Sequence, residues 1–297
     1  TSGGSLQRVT SNSLGLRSPE IPEAKPSGTV RIAVLGASTV FGAYAPTNSH
    51  TFPARMQELL RERLPDRSVD VINAGVVGLG IQQQTLLFER RVSRLQPDIT
   101  IVYPGFNDFA GYCRRSARAR GRPWVARPLV EFGMPPWLLS IELLLKNTVP
   151  VRTSSVGLRP NVKVDTLNIE PYRQSVQTLL TTLKASGTLP LIARNARSYR
   201  PDQPLAEQQR LSATARFYNP CFDLEGLHEL YERHNGVISG VAGGLGVPVL
   251  SLDEVIPGGD KYFSDASHFS SEGEQVVAAW LADRVEPLLS EYSKGSR

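Results

Sequence analysis

Short runs of consecutive apolar residues alternate along this chain with longer stretches in which apolar positions recur every three or four residues. The runs read as strands buried on both faces: residues 30–36 (VRIAVLG), 69–73 (VDVIN), 98–105 (DITIVYPG), 189–194 (LPLIAR) and 247–252 (VPVLSL). The periodic stretches read as amphipathic helices. One starts at Thr51 as cap, with Pro53 in its first turn and Phe52, Met56, Leu59 and Leu60 on one face. Others span residues 82–95, 171–186 (stopped by Gly187) and 222–243. The last spans 271–289, where Ser271 and Glu274 read as a capping box and Val277, Trp280, Leu281 and Leu288 as the apolar stripe.

Strand–helix alternation of this kind predicts an α/β fold in three layers, a parallel sheet with helices on both faces. Residues 1–29, rich in Ser, Gly and Pro, read as an extended N-terminal segment, and 30–297 as a single domain. Two stretches, 109–165 and 195–221, exceed ordinary loop length and are expected to be functional or mobile insertions. No run approaches about eighteen consecutive apolar residues, so no membrane-spanning helix is expected.

In open parallel sheets, ligands bind beyond the carboxyl ends of the strands, so the polar residues after each strand are the candidate chemistry. Ser38 follows the first strand, in RIAVLGASTVFGA (31–43), and NAGVVGLG (73–80) follows the second. GFND, with Asn107 and Asp108, follows the third, and SDASHFSSEG, with Asp265 and His268, follows the fifth. These are the parts of a serine hydrolase. His268 would take the proton of Ser38, and Asp265 would accept from the other ring nitrogen and fix the tautomer. The backbone N–H groups of Ser38 and Gly78 and the carboxamide of Asn107 would form an oxyanion hole. Singly, each has a plainer reading: Ser38 as a helix cap, the glycines as a tight turn, Asn107–Asp108 as a turn pair, Asp265–His268 as a surface pair. Four such elements in order, each after a strand, are harder to dismiss.

Together the blocks GASTVFG, NAGVVGLG, GFND and DASH resemble the SGNH hydrolase superfamily, the GDSL-type esterases and lipases, over residues 31–290. The resemblance implies a five-stranded, flavodoxin-like parallel sheet and a Ser38 nucleophile. It also implies a serine esterase acting on O-acetylated carbohydrates, lipids or small esters. One departure is Ala37, where the family usually carries Asp; that Asp is outside the triad, so its loss should retune the nucleophile turn without abolishing it. Two other functions fit the same residues: an O-acyltransferase that modifies a polysaccharide, and a catalytically silent binding domain.

Charge narrows the partners. A net charge of +5 and a pI of about 9.3 suit anionic partners without demanding nucleic acid, for which no recognised module is present. CRRSARARGRPWVARP (113–128) carries six arginines directly after the third block. It reads either as a solvated loop or as a basic rim drawing in an anionic ester, such as one on an acidic polysaccharide, or a phospholipid surface. Candidate substrate contacts are Arg114, Arg115, Asp108 and His50, the last in the loop after the nucleophile. MPPWLLSIELLLKN (134–147) reads as an extra core helix, or as a lid. His228 and His234 are expected on the surface of their helix, and no histidine pair has metal-ligand spacing, so neither metal nor cofactor is expected. Cys113 and Cys221 are either inert thiols or a pair joining the two insertions in an oxidising compartment. The chain opens at Thr1 with no leader, which leaves a removed signal or anchor open and favours a secreted, periplasmic or membrane-anchored location over a cytoplasmic one.

Overall fold

Thr29–Gly36 (β1), Ser68–Gly75 (β2), Ile99–Tyr103 (β3), Leu189–Ala193 (β4) and Val249–Leu250 (β5) form one sheet in a computed structural model that describes residues 8–119 and 162–292. All neighbours pair in parallel, in the order β2-β1-β3-β4-β5, which is the flavodoxin-like arrangement. The described helices are Ser38–Phe41 (α1), Phe52–Arg63 (α2), Ile81–Leu87 (α3), Ala110–Ala119 (α4), Glu170–Ala185 (α5), Leu205–Leu211 (α6), Ala213–Tyr218 (α7), Leu224–Leu245 (α8), Leu252–Val255 (α9) and Ser271–Tyr292 (α10).

Alternation along β1 divides the core. Ile32 and Val34 face Phe52, Met56 and Leu60 of α2 and Val277, Leu281 and Val285 of α10. Ala33 and Leu35 point the other way, into a layer with α3, α5 and α8. A third cluster of Phe109, Tyr112, Tyr199, Phe222 and Tyr231 joins α4, α8 and the chain between β4 and α8. The Cys113–Cys221 disulfide ties α4 to the residues before α8, resolving the two readings of these cysteines in favour of the pair.

Several local expectations are corrected. The stretch 195–221 is not a bare loop, because Leu211, Ala215 and Phe222 bury themselves in that third cluster and support α6 and α7. Within 109–165, residues 110–119 are helical, so Arg114 and Arg115 lie on a helix and not in a loop. Residues 120–161, including the 134–147 segment and the later arginines, lie outside the described residues. The fifth strand is only two residues long, because the chain turns at once into α9, placing Leu252 in the core and Asp253 on Arg194 at 2.6 Å. The helix expected over 82–95 is α3 continued by a π turn at Phe88–Val92 and a 3-10 turn at Ser93–Leu95.

The capping also differs. Ser270, not Ser271, caps α10, accepting the Gly273 N–H on its hydroxyl at 3.1 Å. Glu274 is freed from any capping box and buried, and its carboxylate accepts the Phe52 N–H at 2.6 Å. It thereby caps α2 in place of Thr51, whose own hydroxyl is spent on the Asn48 carbonyl at 2.9 Å. His234 is fully buried in α8, with Nε2 3.0 Å from the Tyr112 hydroxyl, so its expected surface position is overturned. Burial, assisted by Arg233, lowers it to about 3 and keeps it neutral.

Candidate active site

At the carboxyl end of β1 the chain must turn sharply into α1, and glycines make the room. A Cβ on Gly36 would stand 2.3 Å from Val40 Cγ2, and one on Gly75 2.1 Å from the Phe41 nitrogen. Helix α1 therefore lies directly across the tips of β1 and β2. Gly42 ends it after four residues with φ +77, a conformation open to glycine at no steric cost. A Cβ on Gly105 would meet the Ala37 Cβ at 3.2 Å, so the position before Ser38 is tightly enclosed by the end of β3. A small residue fits there.

The facing loop closes on itself through the Phe263–Phe269 bridge, which brings Asp265 and His268 back to the strand ends. Oδ1 of Asp265 accepts the N–H groups of Ser267 and His268, both at 2.9 Å. Its Oδ2 lies 2.7 Å from His268 Nδ1, and His268 Nε2 lies 2.7 Å from Ser38 Oγ. The three residues chosen from the sequence thus meet in one continuous chain. Burial works to raise the Asp265 carboxyl, but the adjacent His268, through charge and hydrogen bond, and the two backbone donors outweigh it and hold the group below the usual aspartate value. Such a carboxylate stays ionised and fixes the imidazole with Nδ1 protonated and Nε2 free to accept from the serine.

Tyr44 adds a member that no spacing in the sequence announces. Its hydroxyl donates to Asp265 Oδ2 at 3.3 Å, and its ring lies 5.6 Å from that of His268. Arg17, from the segment expected to be a plain extended approach, is also drawn in. Its buried guanidinium donates to the carbonyls of Phe41 (3.0 Å), Gly42 (2.6 Å) and Ala45 (2.9 Å), at the end of α1.

Gly78 and Asn107 line one cleft, and a Cβ built on Gly105 would stand 3.4 Å from Asn107 Nδ2 and 3.2 Å from the Cβ of Ala37, the residue before Ser38. The turn after β2 is anchored by the Val76 N–H on the Gly36 carbonyl at 3.2 Å, and Gly78 takes φ +85 within it. Asn107, on the 3-10 turn Phe106–Asp108, donates from Nδ2 to the Leu79 carbonyl at 3.2 Å. One amide proton of Asn107 is thereby committed to the turn that carries Gly78, and the second remains for another acceptor.

The remaining candidates divide. Asp108 places both oxygens 3.3 Å from the Ile81 N–H and so caps α3; burial raises its carboxyl to about 6. Arg114 and Arg115 of α4 line a cleft of about 480 Å³ that Gly78 and Asn107 also line. His50 does not line that cleft; its ring is held by Thr47 at 2.6 Å, in the loop that receives the N-terminal segment. Among the described residues, no three His, Cys, Asp or Glu side chains are grouped to hold a metal ion. A hydroxyl on an imidazole, an imidazole on a carboxylate and nearby amide donors can remove a proton and stabilise a developing oxyanion.

Solved structures share this architecture. The acetyl xylan esterase AlAXEase is 13% identical, with a TM-score of 0.53, over 86% of this chain and 100% of its own. Axe2, an acetylxylan esterase from Geobacillus stearothermophilus, is 14% identical, with a TM-score of 0.51, over 86% of this chain and 94% of its own. LAE5, an alpha/beta hydrolase enzyme from the metagenome of Lake Arreo, Spain, is 13% identical, with a TM-score of 0.51, over 86% and 94%. At such identities the likeness is one of fold. No curated protein sequence matches the chain. A family model does match, over residues 34–276, from within the first strand to within the last helix, and the chain therefore belongs to the GDSL-like lipase/acylhydrolase family.

Proposed function

We propose that this protein is a serine esterase that cleaves carboxylic esters through an acyl intermediate on Ser38. The observation that carries the reading is the unbroken Asp265–His268–Ser38 chain, with both links at 2.7 Å. Ser38 Oγ attacks the ester carbonyl while Nε2 of His268 takes its proton, and Asp265 stabilises the imidazolium. The carbonyl oxygen, now an oxyanion, is met by the N–H groups of Ser38 and Gly78 and by Asn107. Collapse breaks the bond to the alcohol oxygen, which leaves with the proton from Nε2. Water then repeats the attack on the acyl-serine, giving the free acid and restoring Ser38.

A fluorophosphonate probe should label the protein at Ser38, and Ser38→Ala should abolish labelling and cut ester hydrolysis by roughly 10⁴-fold. Retained hydrolysis in Ser38→Ala would remove the assignment. The Cys113–Cys221 disulfide supports placing the protein in an oxidising compartment.

A further inference from the structure

The cleft beside the amide donors has its own chemistry. It is lined by Gly78 and Asn107 and, on its α4 side, by Arg114 and Arg115, while Ser38, Asp265, His268 and Tyr44 are not among its described lining residues. Both arginines are exposed, and among the described residues no carboxylate forms an ion pair with either. Arg115 is also pre-set. Its guanidinium lies over the Tyr112 ring at 4.7 Å, and a Cβ on Gly111 would stand 3.2 Å from its Nη1, so the side chain folds back along α4 toward Asn107. Tyr172, which also lines the cleft and is 6% exposed, holds a buried hydroxyl with no partner among the described residues. The one carboxylate on the wall, Asp108, has both oxygens turned to the Ile81 N–H.

The lining of the cleft bears on which part of a substrate it takes. His268 delivers its proton to the leaving oxygen, so the alcohol departs on the His268 side. A cleft lined by the proposed oxyanion donors and not by His268 fits the other substituent of the carbonyl carbon, the acyl group. Its described lining is mostly amides, hydroxyls and guanidiniums with the Asp108 carboxylate, and Pro171 is the one aliphatic side chain among the described lining residues. Such a wall gives a long hydrocarbon chain little to bury against. The two cations on its α4 side suit a carboxylate, which a guanidinium can hold through paired hydrogen bonds.

We infer that this cleft selects acyl groups that end in an anion, so that the preferred substrates are half-esters of dicarboxylic acids. The inference rests on the esterase reading above. The reaction is the same hydrolysis: the acyl–oxygen bond to the alcohol breaks, one water is consumed, and a dicarboxylate, a proton and the free alcohol are formed. Arg114 and Arg115 bind the remote carboxylate and take no part in the proton transfers.

The test compares three esters on the intact protein: mono-4-nitrophenyl adipate, its neutral methyl ester, and 2-carboxy-4-nitrophenyl butyrate, which carries the carboxylate on the leaving group. The adipate half-ester should exceed its methyl-capped counterpart in kcat/KM by about tenfold, in line with a charge-assisted pair, and the ratio should shrink as salt is raised. Arg114→Ala/Arg115→Ala should bring the ratio toward one, and Arg115→Glu should push it lower still. Because each ratio is taken within one preparation, partial unfolding of a variant lowers both rates and leaves the comparison intact. A ratio of one in the unmodified protein, with the neutral ester still cleaved, overturns the inference and leaves the esterase reading standing. A preference for the leaving-group carboxylate alone overturns the acyl-side placement. If none of the three is hydrolysed, the esterase reading fails and takes the inference with it.

Discussion

Asn107 spends one amide proton on the Leu79 carbonyl, 3.2 Å away, which fixes where the other points. A donor held in this way needs no reorganisation when charge develops on the substrate oxygen, and its bond is strongest in the transition state. Asn107→Ala should therefore lower kcat by roughly 10²–10³-fold with little change in KM, as steady-state kinetics on a neutral nitrophenyl ester would show. A raised KM with kcat intact would instead make Asn107 a ground-state binding residue. At this scale the sequence was most legible where residues sit next to strand ends, because the carboxyl edge of a parallel sheet collects whatever follows each strand. Ser38 stands at that edge for this reason, whereas Asp265 and His268 come after α9 and reach it through the Phe263–Phe269 bridge. His50 does not join them, because the Thr47 hydroxyl at 2.6 Å holds its ring within its own loop, a partner that no spacing rule foretells. Asp108 shows a further limit: its type and place suit substrate binding, yet its oxygens are turned to the Ile81 N–H at the start of α3.

Two side chains act between elements. Arg17 gathers the carbonyls at the end of α1 from a segment with no regular structure of its own. Arg17→Met would strand the Phe41 and Ala45 carbonyls, while Gly42 keeps the Ala45 N–H at 2.9 Å, and at about 1–3 kcal/mol for a buried group left unsatisfied the loss in unfolding free energy should be about 3 kcal/mol. On the proposed mechanism, the loosened turn at Ser38 should also lower kcat on the order of tenfold, with KM less affected, since misplacement of an attacking group acts on the chemical step. Urea unfolding and steady-state kinetics would separate the two effects. Glu274 joins α10 to α2. Burial raises its carboxyl to about 8, against the Phe52 N–H and the cations Arg17 and Arg55, which favour the charged form. Between the ordinary glutamate value and about 8, the folded protein holds a proton that the unfolded chain has released, so stability should fall as pH rises through that window. Glu274→Gln keeps an oxygen for the Phe52 N–H and removes the titration. The melting temperature of the unmodified protein minus that of the variant should fall as pH rises across the window, a difference in which the shared titrations of Asp108 and His234 cancel. Neither contact is visible in the one-dimensional pattern, where Ser271 and Glu274 satisfy a capping-box spacing that the fold does not use.

For the molecule as a whole, the disulfide closes a loop with a sequence separation of 108 between Cys113 and Cys221 and pins α4, with its arginines, to the chain before α8. Cys113→Ser/Cys221→Ser should lower the unfolding free energy by about 2–5 kcal/mol, read from urea titration, because the open chain regains loop entropy in its unfolded state. The sheet itself was largely determined by the sequence alone. Apolar runs and three-to-four-residue periodicity are local properties that survive in any parallel sheet covered by helices, so the five strands and the main covering helices stand close to where the pattern put them. Their ends were less secure: β5 stops after two residues because the chain turns at once into α9, where Asp253 pairs with Arg194 after β4. Helices α6 and α7 went unread because the cluster that supports them draws on residues from distant parts of the chain. Only the tertiary structure decided that Ser38 and His268, 230 residues apart, lie within a hydrogen bond, that Arg17 holds the turn after Ser38, and that Cys113 finds Cys221. The reason is physical: periodicity records which face of an element is buried, whereas the partner of a polar side chain is chosen by whatever the folded chain brings within about 3 Å of it.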